Sequence, residues 1–136
     1  MEDISFYFAP IVDERIIGGG LGEETNIHTD GYFPEIEKGS IALFYVPEFR
    51  KSDYTEIAEE KFREQFYQLN SASSWTKKIY DLGDIKPGES VKDTYFAVGK
   101  VVAELVKNQI IPVMIGGSQD MTIALYKGYD KLEQFV

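Results

Sequence analysis

The sequence predicts an α/β fold, a three-layer α/β/α arrangement around a parallel sheet with an additional N-terminal strand. Three observations carry that expectation. Residues 41–46 (Ile-Ala-Leu-Phe-Tyr-Val) and 110–115 (Ile-Ile-Pro-Val-Met-Ile) are continuous apolar runs of the kind that fill strands buried on both faces. Between them lie stretches with apolar residues at helical spacing. Strand-like and helix-like segments alternate, which is the order that parallel strands with right-handed crossovers require.

Along the chain, residues 4–11 are aromatic-rich with partial alternation (Ile4, Phe6, Phe8) and predict a strand stopped near Pro10. Residues 13–38 contain Gly18, Gly19, Gly20, Gly22, Asn26, Asp30, Gly31 and Pro34 with little periodicity, and predict a long irregular connection. The chain therefore divides into an N-terminal strand with an irregular extension, 1–38, and an α/β portion, 39–136. Pro47 ends the strand at 41–46. Asp53 with Glu56 three residues on resembles a capping box. The helix beyond it sets Ala58, Phe62, Phe66 and Leu69 on one stripe, with Glu59, Glu60, Arg63 and Glu64 largely opposite, and breaks at 70–74. Residues 79–85 (Ile-Tyr-Asp-Leu-Gly-Asp-Ile) predict a second strand running into a turn at Pro87-Gly88. Ser90 and Asp93 form another cap pair. A helix follows with Tyr95, Val98, Val102 and Leu105 on its apolar face, Val101 and Val106 beside them, closed by Lys107-Asn108. A third buried strand at 110–115 leads through Gly116-Gly117 into a helix from Met121 to about Leu132.

Composition bounds the function. A chain of 136 residues can bury roughly two-thirds of its unfolded surface. With no cysteine, disulfides and thiolate metal sites are excluded. A single histidine, His28, excludes a metal site built mainly on imidazoles. The net charge of −9, without a cluster of Lys and Arg, argues against nucleic acid and anionic membranes as partners. The longest apolar stretch is far short of the roughly 20 residues that span a bilayer. The start, Met-Glu-Asp-Ile-Ser, has neither the basic nor the apolar region of a secretory signal, so the expected location is the cytoplasm.

One loop carries a chemical signal. In open parallel sheets, ligands collect where strands end and helices begin. Gly116, Gly117, Ser118, Gln119 and Asp120 occupy such a place. The glycines permit a sharp turn and close approach, and a helix N-terminus favours an anion or acceptor. These five are the candidate ligand-binding residues. The alternative is that Ser118 simply caps the next helix. The segment is neither a dinucleotide fingerprint, lacking the third spaced glycine, nor a Walker loop, lacking Gly-Lys-Ser/Thr.

The segment 111–122 (Ile-Pro-Val-Met-Ile-Gly-Gly-Ser-Gln-Asp-Met-Thr) also resembles the first signature of the arginase, agmatinase and formimidoylglutamase family: an apolar strand with proline, then Gly-Gly-Asp-His-Ser and often a threonine. Gly116, Gly117 and Thr122 match. The run at 41–46 resembles the family's first core strand, and the helix ending near Leu69 with the Asp-x-Gly turn of 79–85 resembles its second unit. The resemblance covers roughly 36–136 and is closest to formimidoylglutamase-like proteins. It implies hydrolysis of a linear amidine C–N bond in a small-molecule substrate by an intact, metal-dependent parent holding two manganese ions. It also marks departures. The family's metal-ligand histidine falls on Gln119 and its preceding aspartate on Ser118, and a neutral amide is a poorer ligand than imidazole. Asp120 lies about 100° further round a helix start. The family's later Asp-x-His-x-Asp and Asp-x-Asp motifs are absent. The resemblance therefore implies a truncated, N-terminal part with no catalytic residue, no metal ligand and no cofactor of its own. It implies inactivity in isolation, and an unfinished sheet edge through which copies can associate. A non-catalytic homologue, or a small-metabolite-binding or scaffold domain, is the alternative.

Other residues receive plainer readings. His28 is expected to be a solvated loop side chain. The glycines at 18, 19, 20 and 22 suit a flexible connection better than a phosphate cradle. Asp81 and Asp84 are expected to shape the turn around Gly83. Trp75 is expected to pack the core or plug the sheet end.

Overall fold

The computed structural model describes residues 1–12, 21–52, 59–70 and 74–130. Its sheet contains β1 (Phe8–Ala9), β2 (Asn26–Ile27), β3 (Ile41–Tyr45), β4 (Ile79–Ile85) and β5 (Ile111–Ile115). The helices are α1 (Leu21–Glu24), α2 (Glu59–Gln68), α3 (Val91–Lys107) and α4 (Met121–Asp130).

The predicted core is present: β3 pairs in parallel with β4 on one side and β5 on the other. Along β3 the pleat sends Ala42, Phe44 and Val46 to one face, and all three are buried with Tyr80 and Leu82 of β4 and Val98, Val101, Val102 and Leu105 of α3. Met121 and Ala124 of α4 join the same cluster. On the opposite face, α2 lies against Tyr45 and Asp81: the Phe62 ring stacks at 6.5 Å from that of Tyr45, and Arg63 bonds the Asp81 carboxylate. The capping box predicted for the α3 start is formed, with the Ser90 hydroxyl accepting from the Asp93 amide and the Asp93 carboxylate from the Ser90 amide.

Several expectations need correction. The N-terminal strand is only two residues long, because Ser5–Tyr7 turn as a 3₁₀ helix, and it runs antiparallel to β4. The connection predicted as irregular contains α1 and β2, and β2 pairs in parallel with the first half of β4. Two short strands thus share one edge of β4, β2 at its start and β1 at its end. Gly83 makes the second pairing possible: it has φ +93°, and a Cβ there would lie 2.1 Å from the Ala9 carbonyl oxygen. The strand β5 is not buried on both faces, since Ile111 and Val113 are 44% and 38% exposed. Nothing in the described structure stands beyond β5. The cap pair expected at Asp53 and Glu56, the helix position of Ala58, the glycines at 18–20 and the residues after Asp130 lie outside the described residues.

The helix α2 also presents a different face from the one predicted. Leu69, placed on the apolar stripe, is 55% exposed, and Phe62 and Phe66 are half-buried. Among its described side chains the most buried are Arg63 and Tyr67, four residues apart.

Candidate functional site

The five candidate residues stand at the carboxyl end of β5, as expected. Gly116 and Gly117 have φ of +78° and +76°, a left-handed pair that turns the chain from β5 towards α4. A Cβ on Gly116 would sit 2.3 Å from the Tyr45 ring. The loop is braced against the segment after β3. The Ser118 amide donates to the Glu48 carbonyl at 2.9 Å, and its hydroxyl oxygen lies 3.2 Å from the same carbonyl oxygen.

The braced segment carries charges that the sequence reading passed over. Glu48 is 1% exposed. Its carboxylate accepts from Arg50 Nε at 2.9 Å and Nη2 at 2.6 Å, and from the Thr94 hydroxyl at 2.8 Å. Arg50 continues to the carbonyls of Gly88 and Glu89, both at 2.8 Å, tying the β3 loop to the start of α3. The Arg50 hydrogen bonds hold the Glu48 carboxyl below the usual carboxylate range, with Thr94 adding to them against the opposing effect of burial.

Asp120 closes the cluster. Its two carboxylate oxygens accept from the Ser118 and Tyr95 hydroxyls. Burial alone would raise its pKa, but the hydrogen bonds from Ser118 and Tyr95 outweigh that and hold it below the usual range. The same bond to Asp120, with burial and the nearby negative charges behind it, pushes the Tyr95 phenol up to about 12. Gln119, between these two anchored neighbours, is exposed. The first amides of α4 bond back three residues, Met121 to Ser118 and Thr122 to Gln119.

A second polar cluster lies on the α2 face of the sheet, and here three residue readings change. Asp81 is fully buried within β4. It accepts from Arg63 Nε at 2.9 Å and Nη2 at 3.1 Å, from the Tyr67 hydroxyl, and from the Gly83 amide at 3.1 Å. Arg63 Nη1 reaches Asp84 at 2.6 Å. The expected turn bond to Gly83 therefore exists, but it is one part of a buried ion pair. Burial works against the Arg63 charge and its two carboxylate partners outweigh that, so its pKa is raised; burial, and then the Asp81 charge, raises that of Tyr67. The signal for this cluster was a carboxylate in the middle of an apolar strand, which must find a cation when buried. His28 is buried rather than solvated. Its Nδ1–H donates to the Leu82 carbonyl at 2.8 Å and its ring meets Phe33 edge-on, because β2 draws it against β4.

A third feature is an apolar hollow of about 310 Å³ beside the sheet, lined by Leu21, Ile41, Leu43, Phe66, Ile79 and Val113. Trp75 forms part of its wall and is 47% exposed, so it stands at a surface hollow and not in the core.

A solved structure superposes on this mixed α/β chain. It is formimidoylglutamase from Bacillus subtilis subsp. subtilis str. 168, with a TM-score of 0.68 over 92% of this chain at 14% identity. That likeness establishes the fold. The chain spans 40% of the length of that enzyme. No family model and no curated protein matches the sequence. No helix among the described residues is long and apolar enough to cross a membrane.

Proposed function

We propose that this chain is the N-terminal part of a formimidoylglutamase-like ureohydrolase domain with the three-layer α/β/α build. An intact parent would hydrolyse the C–N bond of a linear amidine, and the present chain contributes scaffold and not chemistry. The observation that carries this reading is the superposition on formimidoylglutamase over nearly the whole chain, combined with what the Gly116–Asp120 loop does with its polar groups. Ser118 and Asp120 are spent on holding the Glu48 segment and Tyr95. An incoming anion would meet the Asp120 carboxylate at the head of α4, which disfavours the metabolite-binding alternative.

The donor set does not fit the pair of manganese ions that such chemistry uses. Gln119 offers a neutral amide at the position of an imidazole, Asp120 already accepts two hydroxyl bonds, and His28 bonds Leu82 elsewhere in the sheet. Among the described residues no three His, Cys, Asp or Glu side chains are grouped to share an ion. No hydrolytic step is therefore assigned to this chain.

The test is direct. After dialysis against manganese, the chain is expected to retain no stoichiometric metal and to release no formamide from N-formimidoyl-glutamate, and a Gln119→His variant should behave alike. Stoichiometric manganese together with formamide release from the unaltered chain would overturn the scaffold reading.

A further inference from the structure

We propose that the three loops at the carboxyl edge of the sheet form one interlock that opens and closes as a unit, keyed by the buried Glu48 carboxylate. The inference goes beyond the reading above and rests only on bonds between described residues.

The loops follow β3, β4 and β5, and all three converge on α3. Thr94 and Tyr95 are successive residues near the head of that helix. The Thr94 hydroxyl donates to the Glu48 carboxylate at 2.8 Å, in the loop after β3. It accepts from the Gly88 amide at 2.9 Å, in the loop after β4. The Tyr95 hydroxyl donates to the Asp120 carboxylate, in the loop after β5.

Further ties run between the loops themselves. Arg50 joins the Glu48 carboxylate to the carbonyls of Gly88 and Glu89, and the Ser118 amide donates to the Glu48 carbonyl at 2.9 Å. The loop after β3 is therefore bonded directly to each of the other two. Gly88 also lies flat on the α3 head, since a Cβ there would stand 2.2 Å from that of Asp93.

Opening one loop alone is unfavourable, because the centre of the network is dry: Thr94 is 0% exposed and Glu48 1%. If the β4 loop left, Arg50 would lose two carbonyl acceptors and Thr94 its amide donor. If the β5 loop left, the Glu48 carbonyl would lose Ser118 and Asp120 would lose Tyr95. A buried polar network that is half-satisfied keeps the cost of burial without the bonds that offset it. Releasing all three loops lets water reach every member. The stable conditions are thus joined or released. Ligands of open α/β sheets bind at this edge, so a group held by one loop biases the other two.

The experiment is residue-resolved amide exchange of the 136-residue chain in low denaturant, unaltered and as Glu48→Gln. Neither the Gly88 nor the Ser118 amide bonds the Glu48 carboxylate, so a merely local role for that group would not move both. In the unaltered chain the two amides should share one opening free energy and one denaturant slope. That slope should be shallower than the slope of Val101 and Val102 in the middle of α3, which report global unfolding. Glu48→Gln removes the charge that holds Arg50 and should speed both amides by a common factor of about tenfold or more. Thr94→Val, which cuts the tie between Glu48 and Gly88, should do the same. If either variant fails to fold, the slopes of the unaltered chain still decide. Different slopes for Gly88 and Ser118, a response of only one of them, or exchange of both at the global slope would overturn the interlock.

Discussion

At the scale of the residue, Arg63 shows how position overrides composition. On α2 it sits among glutamates in sequence, yet in the fold it is 1% exposed and bonded to two carboxylates. Removing one partner of such a pair strands the other charge. Arg63→Ala is expected to destabilise the chain by about 3–5 kcal/mol, read from the denaturation midpoint. Tyr67→Phe removes one hydroxyl bond to the same carboxylate and should cost about 1 kcal/mol. If both variants unfold at the wild-type midpoint, the cluster is not holding α2 to the sheet. Gly116 gives a second test at this scale. An alanine there would face both a left-handed backbone and the Tyr45 ring, so Gly116→Ala should lose more than about 1 kcal/mol in the same measurement.

At the scale of the element, the clamp between the loops after β3 and β5 titrates. Glu48 and Asp120 have folded pKa values below their ordinary ones, so their stabilising effect is present above the usual carboxylate range and is lost as pH falls through the depressed values. Tyr95 is the opposite case. Its contribution is complete below the ordinary tyrosine pKa of about 10 and is lost as pH rises towards about 12. Unfolding measured against pH should therefore show stability falling at both ends, and Tyr95→Phe should lessen the alkaline fall between those two values, leaving the part that the raised Tyr67 phenol contributes. An unchanged alkaline limb in Tyr95→Phe would mean that the phenol does not report on the clamp. Elements with strong local signals were legible in advance: the parallel strands at 41–46 and 79–85, and α3 with its Ser90–Asp93 box. The strand β2 was not, because two residues flanked by polar ones carry no period, and only pairing with β4 makes them a strand.

At the scale of the whole molecule, the two borders of the sheet differ. One is finished by β1 and β2, while the other is an uncharged strand beside an apolar hollow. The candidate loop was legible as a place, since Gly-Gly after an apolar strand marks a strand-to-helix turn. Its engagement was not, because Glu48, Arg50, Thr94 and Tyr95 reach it from two other segments of the chain.

The sequence by itself determined the α/β class, the core strands and helices, and the position of the Gly116–Asp120 turn, because apolar period, capping pairs and glycine act over a few neighbouring residues. Only the tertiary structure decided that Asp81 and Arg63 form a buried pair, that His28 packs against β4, and that Asp120 is bound to Tyr95. Each of those depends on which segments become neighbours, and burial and pairing energies act across space between residues far apart in the chain.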